Sequence, residues 1–113
     1  MKAEDHLKKA NEIKGSIDVL KDDEQHVIAV VELSYGLAFH LIAYGLDRRS
    51  SEHRDTHSGL PAFLRKHGQS EVATSFERLD TLRHGRWYGG RGDGEVVREA
   101  MKIIDLIERW ATG

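Results

Sequence analysis

The sequence predicts an all-α protein, an antiparallel up-and-down bundle of four principal helices plus one short helix. Three observations lead there. Apolar residues recur at spacings of three and four through most of the chain. No strand pattern occurs anywhere. Loop-forming residues separate the periodic stretches. At 113 residues the chain supports one hydrophobic core and not two, so residues 1–113 form a single domain.

Leu7, Ala10, Ile13, Ile17 and Leu20 give the first helix, from about Ala3 to Leu20, an apolar stripe opposite a charged face. Gly15 is its soft spot, costing about 1 kcal/mol relative to alanine where exposed. The pattern breaks at Lys21-Asp22-Asp23, where Asp22 followed by Gln25 resembles a capping box for the next helix.

The second helix, from about Asp23 to Arg48, is apolar nearly all round, from Val27 and Ile28 through Leu37 and Leu41 to Leu46. Such a helix needs cover on more than one side. Helices one and five supply part of it, and a second copy of the chain is expected to supply the rest. Gly36 and Gly45 suit close helix contacts. Val27 to Leu46 has the length of a membrane span, but Glu32, Ser34 and His40 interrupt it, so a buried central helix is expected and not a membrane segment. His40 is expected to be a hydrogen-bonded core or interface histidine, not a ligand.

Periodicity disappears between Asp47 and Gly59, which reads as a loop. His53 and His57 stand four apart, a metal-capable spacing, but no third ligand is near and no metal site is expected. Gly59-Leu60-Pro61 opens a short helix anchored by Phe63 and Leu64 and stopped at His67-Gly68. Ser70 can cap the next helix, whose stripe is Val72, Phe76, Leu79 and Leu82 and whose stop is Gly89-Gly90-Arg91-Gly92. The last helix begins near Asp93 and carries a wide apolar face from Val96 to Trp110.

Composition narrows the function classes. The chain has no cysteine, which removes disulfides and thiolate metal sites. The N-terminus has no signal-peptide pattern, and a cytoplasmic protein is expected. Net charge is −2 overall, but it is uneven: residues 1–46 carry −3, residues 47–91 carry +3, and residues 92–113 carry −2. Arginine supplies most of the central positive charge, and planar guanidiniums suit phosphate recognition.

That charge converges on Leu79 to Gly90, which contains Arg83, His84, Arg86, Trp87 and Tyr88, with Arg78 one residue upstream. Arg83 and Arg86 share a helix face. Arg83, Trp87 and Tyr88 can surround one ligand, with guanidinium on a phosphate and rings on a base. Cleavage of RNA would need a group to take the 2′-hydroxyl proton and another to steady the charged phosphorane, and His84 with one of Arg78, Arg83 or Arg86 are the local candidates. The same residues also serve a plain helix end, where arginine stabilises the macrodipole by up to about 1 kcal/mol.

The order of motifs resembles the HEPN domains, a family of small helical bundles. The resemblance is carried by Tyr35, Ala38, Phe39 and His40 on the long helix, then His57-Ser58-Gly59-Leu60 with Phe63, then Leu82-Arg83 to Tyr88-Gly89 before a final amphipathic helix. It implies a homodimer that binds RNA or a nucleotide, and in many members a metal-independent ribonuclease toxin needing no cofactor. It also implies pairing with a minimal nucleotidyltransferase. The family signature is an arginine, commonly followed at once by asparagine, with a histidine a few residues on. Here Arg83-His84 resembles its Arg-Asn pair, and Tyr88 stands where the catalytic histidine would fall. Arg78 and His84 meet the same spacing in a shifted position. A phenol, with a pKa near 10, is a poor general base at neutral pH, so Tyr88 is better suited to stacking, hydrogen bonding or accepting a nucleotidyl group. The alternative function is a noncatalytic helical interaction module whose arginines hold a partner protein.

Overall fold

One helix is the axis around which the others pack. The structure, a computed structural model, describes residues 1–50, 59–85 and 93–113, the side chains of Glu24, Ser50 and Asp93 excepted. Its helices are α1 Ala3–Leu20, α2 Val27–Ser50, α3 Leu60–Lys66, α4 Ser70–Gly85 and α5 Asp93–Thr112, and a 3-10 turn at Glu24–His26 precedes α2. No strand occurs among the described residues. The axis is α2, which packs against α1, α4 and α5, while α3 packs on α4.

Cross-helix contacts fix the directions. His6 of α1 meets His40 near the middle of α2, and Ile13 meets Gly36 one turn before it, so α1 and α2 are antiparallel. Arg83 at the end of α4 reaches Glu32 in the first half of α2, which makes that pair antiparallel too. Arg48 donates to the Ala111 carbonyl at 2.7 Å, so α5 runs alongside α2 in the same direction. The up-and-down order therefore holds, with α1 and α4 pointing one way and α2 and α5 the other.

The core explains why α2 carries so few polar residues. Val30, Val31, Leu37, Leu41, Ile42 and Leu46 are all buried, joined by Ala10 and Ile17 from α1, Phe76 and Leu79 from α4, and Ala100 and Ile107 from α5. Ser34 is buried among them and donates its hydroxyl to the Val30 carbonyl at 2.7 Å, the back-bond that lets a serine sit inside a helix. Cover comes from α1 and α5, as the sequence predicts, and also from α4. Among the large apolar side chains of α2, Ile28 alone is exposed, at 36%. The apolar surplus read from the sequence is thus taken up largely within one chain. The segment Val27–Arg49 is the one described helix long and apolar enough to cross a membrane, and 61% of its most apolar stretch is buried by its neighbours, as in the interior helix of a globular fold.

Helix ends show small shifts from the sequence reading. The residue that caps the turn before α2 is Asp23 and not Asp22: its carboxylate accepts from the Gln25 amide at 2.9 Å. Ser70 is the first residue of α4, while the Gln69 carbonyl accepts from the Ala73 amide at 3.0 Å. The stop at His67-Gly68 is a Schellman motif. Gly68 takes φ +78, its amide donates to Arg65 and that of Gln69 donates to Leu64. This turn reverses the chain between α3 and α4 and thereby aims the far end of α4 at α2.

Candidate functional site

The last two turns of α4 bring Asp80, Arg83 and His84 together, and the spacing of a helix does the work. Asp80 and Arg83 lie at i, i+3, and Asp80 and His84 at i, i+4, so one carboxylate serves both neighbours. Arg83 Nη2 donates to Asp80 Oδ1 at 2.9 Å. His84 Nδ1 lies 2.8 Å from the Asp80 carbonyl oxygen and 3.4 Å from its carboxylate. A carbonyl only accepts, so Nδ1 carries the proton and Nε2 keeps the lone pair in the neutral ring. The His84 side chain is 69% exposed, which leaves the ring accessible to a substrate.

Arg83 faces α2, and its side chain is 28% exposed. Its guanidinium carbon lies 4.0 Å from the centroid of the Tyr35 ring, and Nη1 lies 3.6 Å from Glu32 Oε2. Nε is buried, with no hydrogen-bond partner among the described residues. Burial lowers the guanidinium's pKa, but the hydrogen bond and charge of Asp80, with the charges of Glu32 and Tyr35, outweigh it and hold the group above its usual value. Arg83 is a fixed cation. Tyr35 is pushed up from the usual phenol value first by burial and then by the charge of Asp80, against the opposing pull of Arg83.

Arg78 points elsewhere. Its Nε and Nη2 make a two-pronged ion pair with Glu99 of α5, the second contact at 3.0 Å. A five-residue step along a helix turns a side chain well away from its predecessor, so Arg78 ties α4 to α5 while Arg83 faces α2. Arg83 and His84 are brought together, and Arg78 is not among them. Arg86, Trp87 and Tyr88 lie outside the described residues, as do His53 and His57.

Two residues named in the sequence for other reasons prove to be contributors to the site. Glu32 and Tyr35, one turn apart on α2, form the wall against which Arg83 rests. The signal for the first was present, because a lone carboxylate inside a long apolar run either faces water or meets a cation. Chemically, the described part of the site is an arginine of fixed orientation with an unsatisfied N–H, flanked by two carboxylates. It suits an anion only if that anion competes with or adds to those carboxylates.

His40, expected to be a core or interface histidine, contacts His6 with their Nδ1 atoms 2.8 Å apart. His6 is 1% exposed and meets Phe39 edge-on at 5.9 Å. Among the described residues no group of three or more His, Asp or Glu is arranged to hold a metal ion.

Comparison of the chain with protein-family models, with curated proteins and with solved structures gives no match.

Proposed function

We propose that this protein is a HEPN-like RNA- or nucleotide-binding protein in which Arg83 anchors a phosphate. One observation carries the proposal: the Arg83 guanidinium is held against the Tyr35 ring and hydrogen-bonded to Asp80 while its side chain stays 28% exposed. An oriented, partly exposed guanidinium favours an acceptor oxygen placed in its plane. Beyond His84 and Gly85 the sequence adds Arg86, Trp87 and Tyr88, the residue types that complete a phosphate-and-base site. In its catalytic form the proposal is a metal-independent ribonuclease. His84, whose Nε2 keeps a lone pair, takes the 2′-hydroxyl proton and Arg83 steadies the phosphorane.

The wider setting follows from the resemblance: a cytoplasmic homodimer acting as the toxin-like partner of a minimal nucleotidyltransferase, with Tyr88 as a candidate acceptor of a nucleotidyl group. The dimer proposal rests on that resemblance, because α2 finds most of its cover within the chain.

A second reading, the noncatalytic interaction module, draws support from the same geometry. Glu32 and Asp80 already neutralise Arg83, and Glu99 already holds Arg78, as in arginines that brace a protein surface. The two separate in one assay. The pure protein is incubated with mixed RNA in EDTA beside Arg83→Ala and His84→Ala. Cleavage by the wild type that both substitutions abolish supports the ribonuclease, whereas cleavage that survives them points to a contaminant. Nucleotide titration by calorimetry then separates binding, which gives heat, from the interaction module, which gives none.

A further inference from the structure

Three flat groups form a column between α2 and α4. Phe76 stacks on Tyr35 with ring centroids 4.8 Å apart and planes inclined by 22°. Two turns further along α4, the Arg83 guanidinium lies 4.0 Å from the centroid of the same Tyr35 ring. Heptad spacing on α4 places residues 76 and 83 on one face, so both reach a single ring on α2.

The contacts of Arg83 do different things. Its hydrogen bond to Asp80 fixes one nitrogen but leaves the plane free to swing about that point. Glu32, at 3.6 Å, supplies charge without the direction of a hydrogen bond. Among the described contacts, the Tyr35 ring is the one that lies over the guanidinium, and Tyr35 is in turn buried and stacked on Phe76. Arginine has among the largest rotamer entropies of the side chains, so a ring that holds it before binding removes a cost that binding would otherwise carry.

We infer that Tyr35 is a positioning residue: it sets the plane of the Arg83 guanidinium, and through it the approach of a phosphodiester oxygen of single-stranded RNA to the part of the Arg83 side chain that stays exposed. The inference rests on the binding role proposed above, and two measurements keep the two apart.

The first needs no ligand. Nitrogen NMR of the Arg83 Nε–Hε group reports how far the guanidinium is ordered in the free protein. Ordering is expected in the wild type and in Tyr35→Phe, which keeps the ring, and is expected to be lost in Tyr35→Met, which keeps the bulk without the ring. An Arg83 signal as ordered in Tyr35→Met as in the wild type overturns the inference. Should Tyr35→Met not fold, Phe76→Leu takes its place. It removes the buried ring that stacks on Tyr35 and is expected to loosen the same signal, and an unchanged signal again counts against the inference.

The second measurement is fluorescence anisotropy with a labelled single-stranded RNA of mixed sequence. Arg83→Ala is expected to weaken binding by about tenfold, as befits loss of a charge-assisted phosphate contact. Tyr35→Phe should bind within about twofold of the wild type, Tyr35→Met about as weakly as Arg83→Ala, and the Tyr35→Met/Arg83→Ala double variant no more weakly than either. Losses that simply add overturn the inference, because Tyr35 would then act otherwise than through Arg83. A wild type that binds no RNA while Arg83 is ordered by Tyr35 refutes the binding proposal and leaves the positioning role standing.

Discussion

The indole of Trp110 lies against Gly45 across the contact between α5 and α2. Its Nε1–H donates to Gln69 at 2.9 Å, and the Arg49 guanidinium lies 4.3 Å from its ring, so the indole has little room to retreat. A Cβ at Gly45 would fall 2.8 Å from Cη2. Gly45→Ala is therefore expected to destabilise the fold by about 1–3 kcal/mol through overpacking, against a gain of about 1 kcal/mol in helix propensity. Gly15, exposed on α1, has nothing within 4 Å of such a Cβ, and Gly15→Ala is expected to stabilise by up to about 1 kcal/mol. Thermal melts of the two variants should move in opposite directions.

The environment of Tyr35 predicts an alkaline signature. Its phenol is held above the usual value by burial and then by Asp80. The folded state thus keeps a proton that the unfolded chain gives up. Stability contributed this way is complete below the ordinary phenol pKa and falls as pH rises through the raised one. A phenolate absorbance titration should show one tyrosine ionising later than an unperturbed phenol, and Tyr35→Phe should remove that late step and flatten the alkaline decline in stability.

His6 and His40 join α1 to α2 through facing Nδ1 atoms, so one ring donates and the other accepts. Replacing either by leucine removes the part-buried hydrogen bond between them, at a cost of about 0.5–1.5 kcal/mol. The double replacement should cost less than the sum of the single ones, with a coupling of about 0.5–3 kcal/mol in a denaturant-based double-mutant cycle. Strict additivity would mean that the two rings do not share the bond.

Arg78 and Arg83 are five residues apart and should behave differently. The Arg78 pair with Glu99 is largely exposed, so Arg78→Ala is expected to cost about 1 kcal/mol of stability or less and to leave RNA binding within about twofold of the wild type. Arg83→Ala should instead weaken RNA binding. Equal losses of binding from the two substitutions would place Arg78 in the site as well.

By itself the sequence determined the helices and their approximate ends. Periodicities such as Leu7, Ala10, Ile13 and Ile17 are local properties of a 3.6-residue repeat; the fold buries Ala10 and Ile17 and packs Ile13 against the core, while at the start of the stripe His6 is buried and Leu7 stays outside it. It also singled out Arg83 and His84, because a basic cluster at a helix end is visible in one dimension. Cap identities shifted by a residue at Asp23 and Gln69, since a cap depends on the local backbone rotation and not on composition alone. Only the tertiary structure decided that α4 shares the cover of α2, that Gly45 is required by Trp110, and that Arg78 and Arg83 face different helices. It alone brought Glu32 and Tyr35, some fifty residues away in the chain, against Arg83. The physical reason is that a helix's own repeat fixes which residues share a face, whereas the neighbour that face meets depends on how several helices pack at once, and no local pattern encodes that choice.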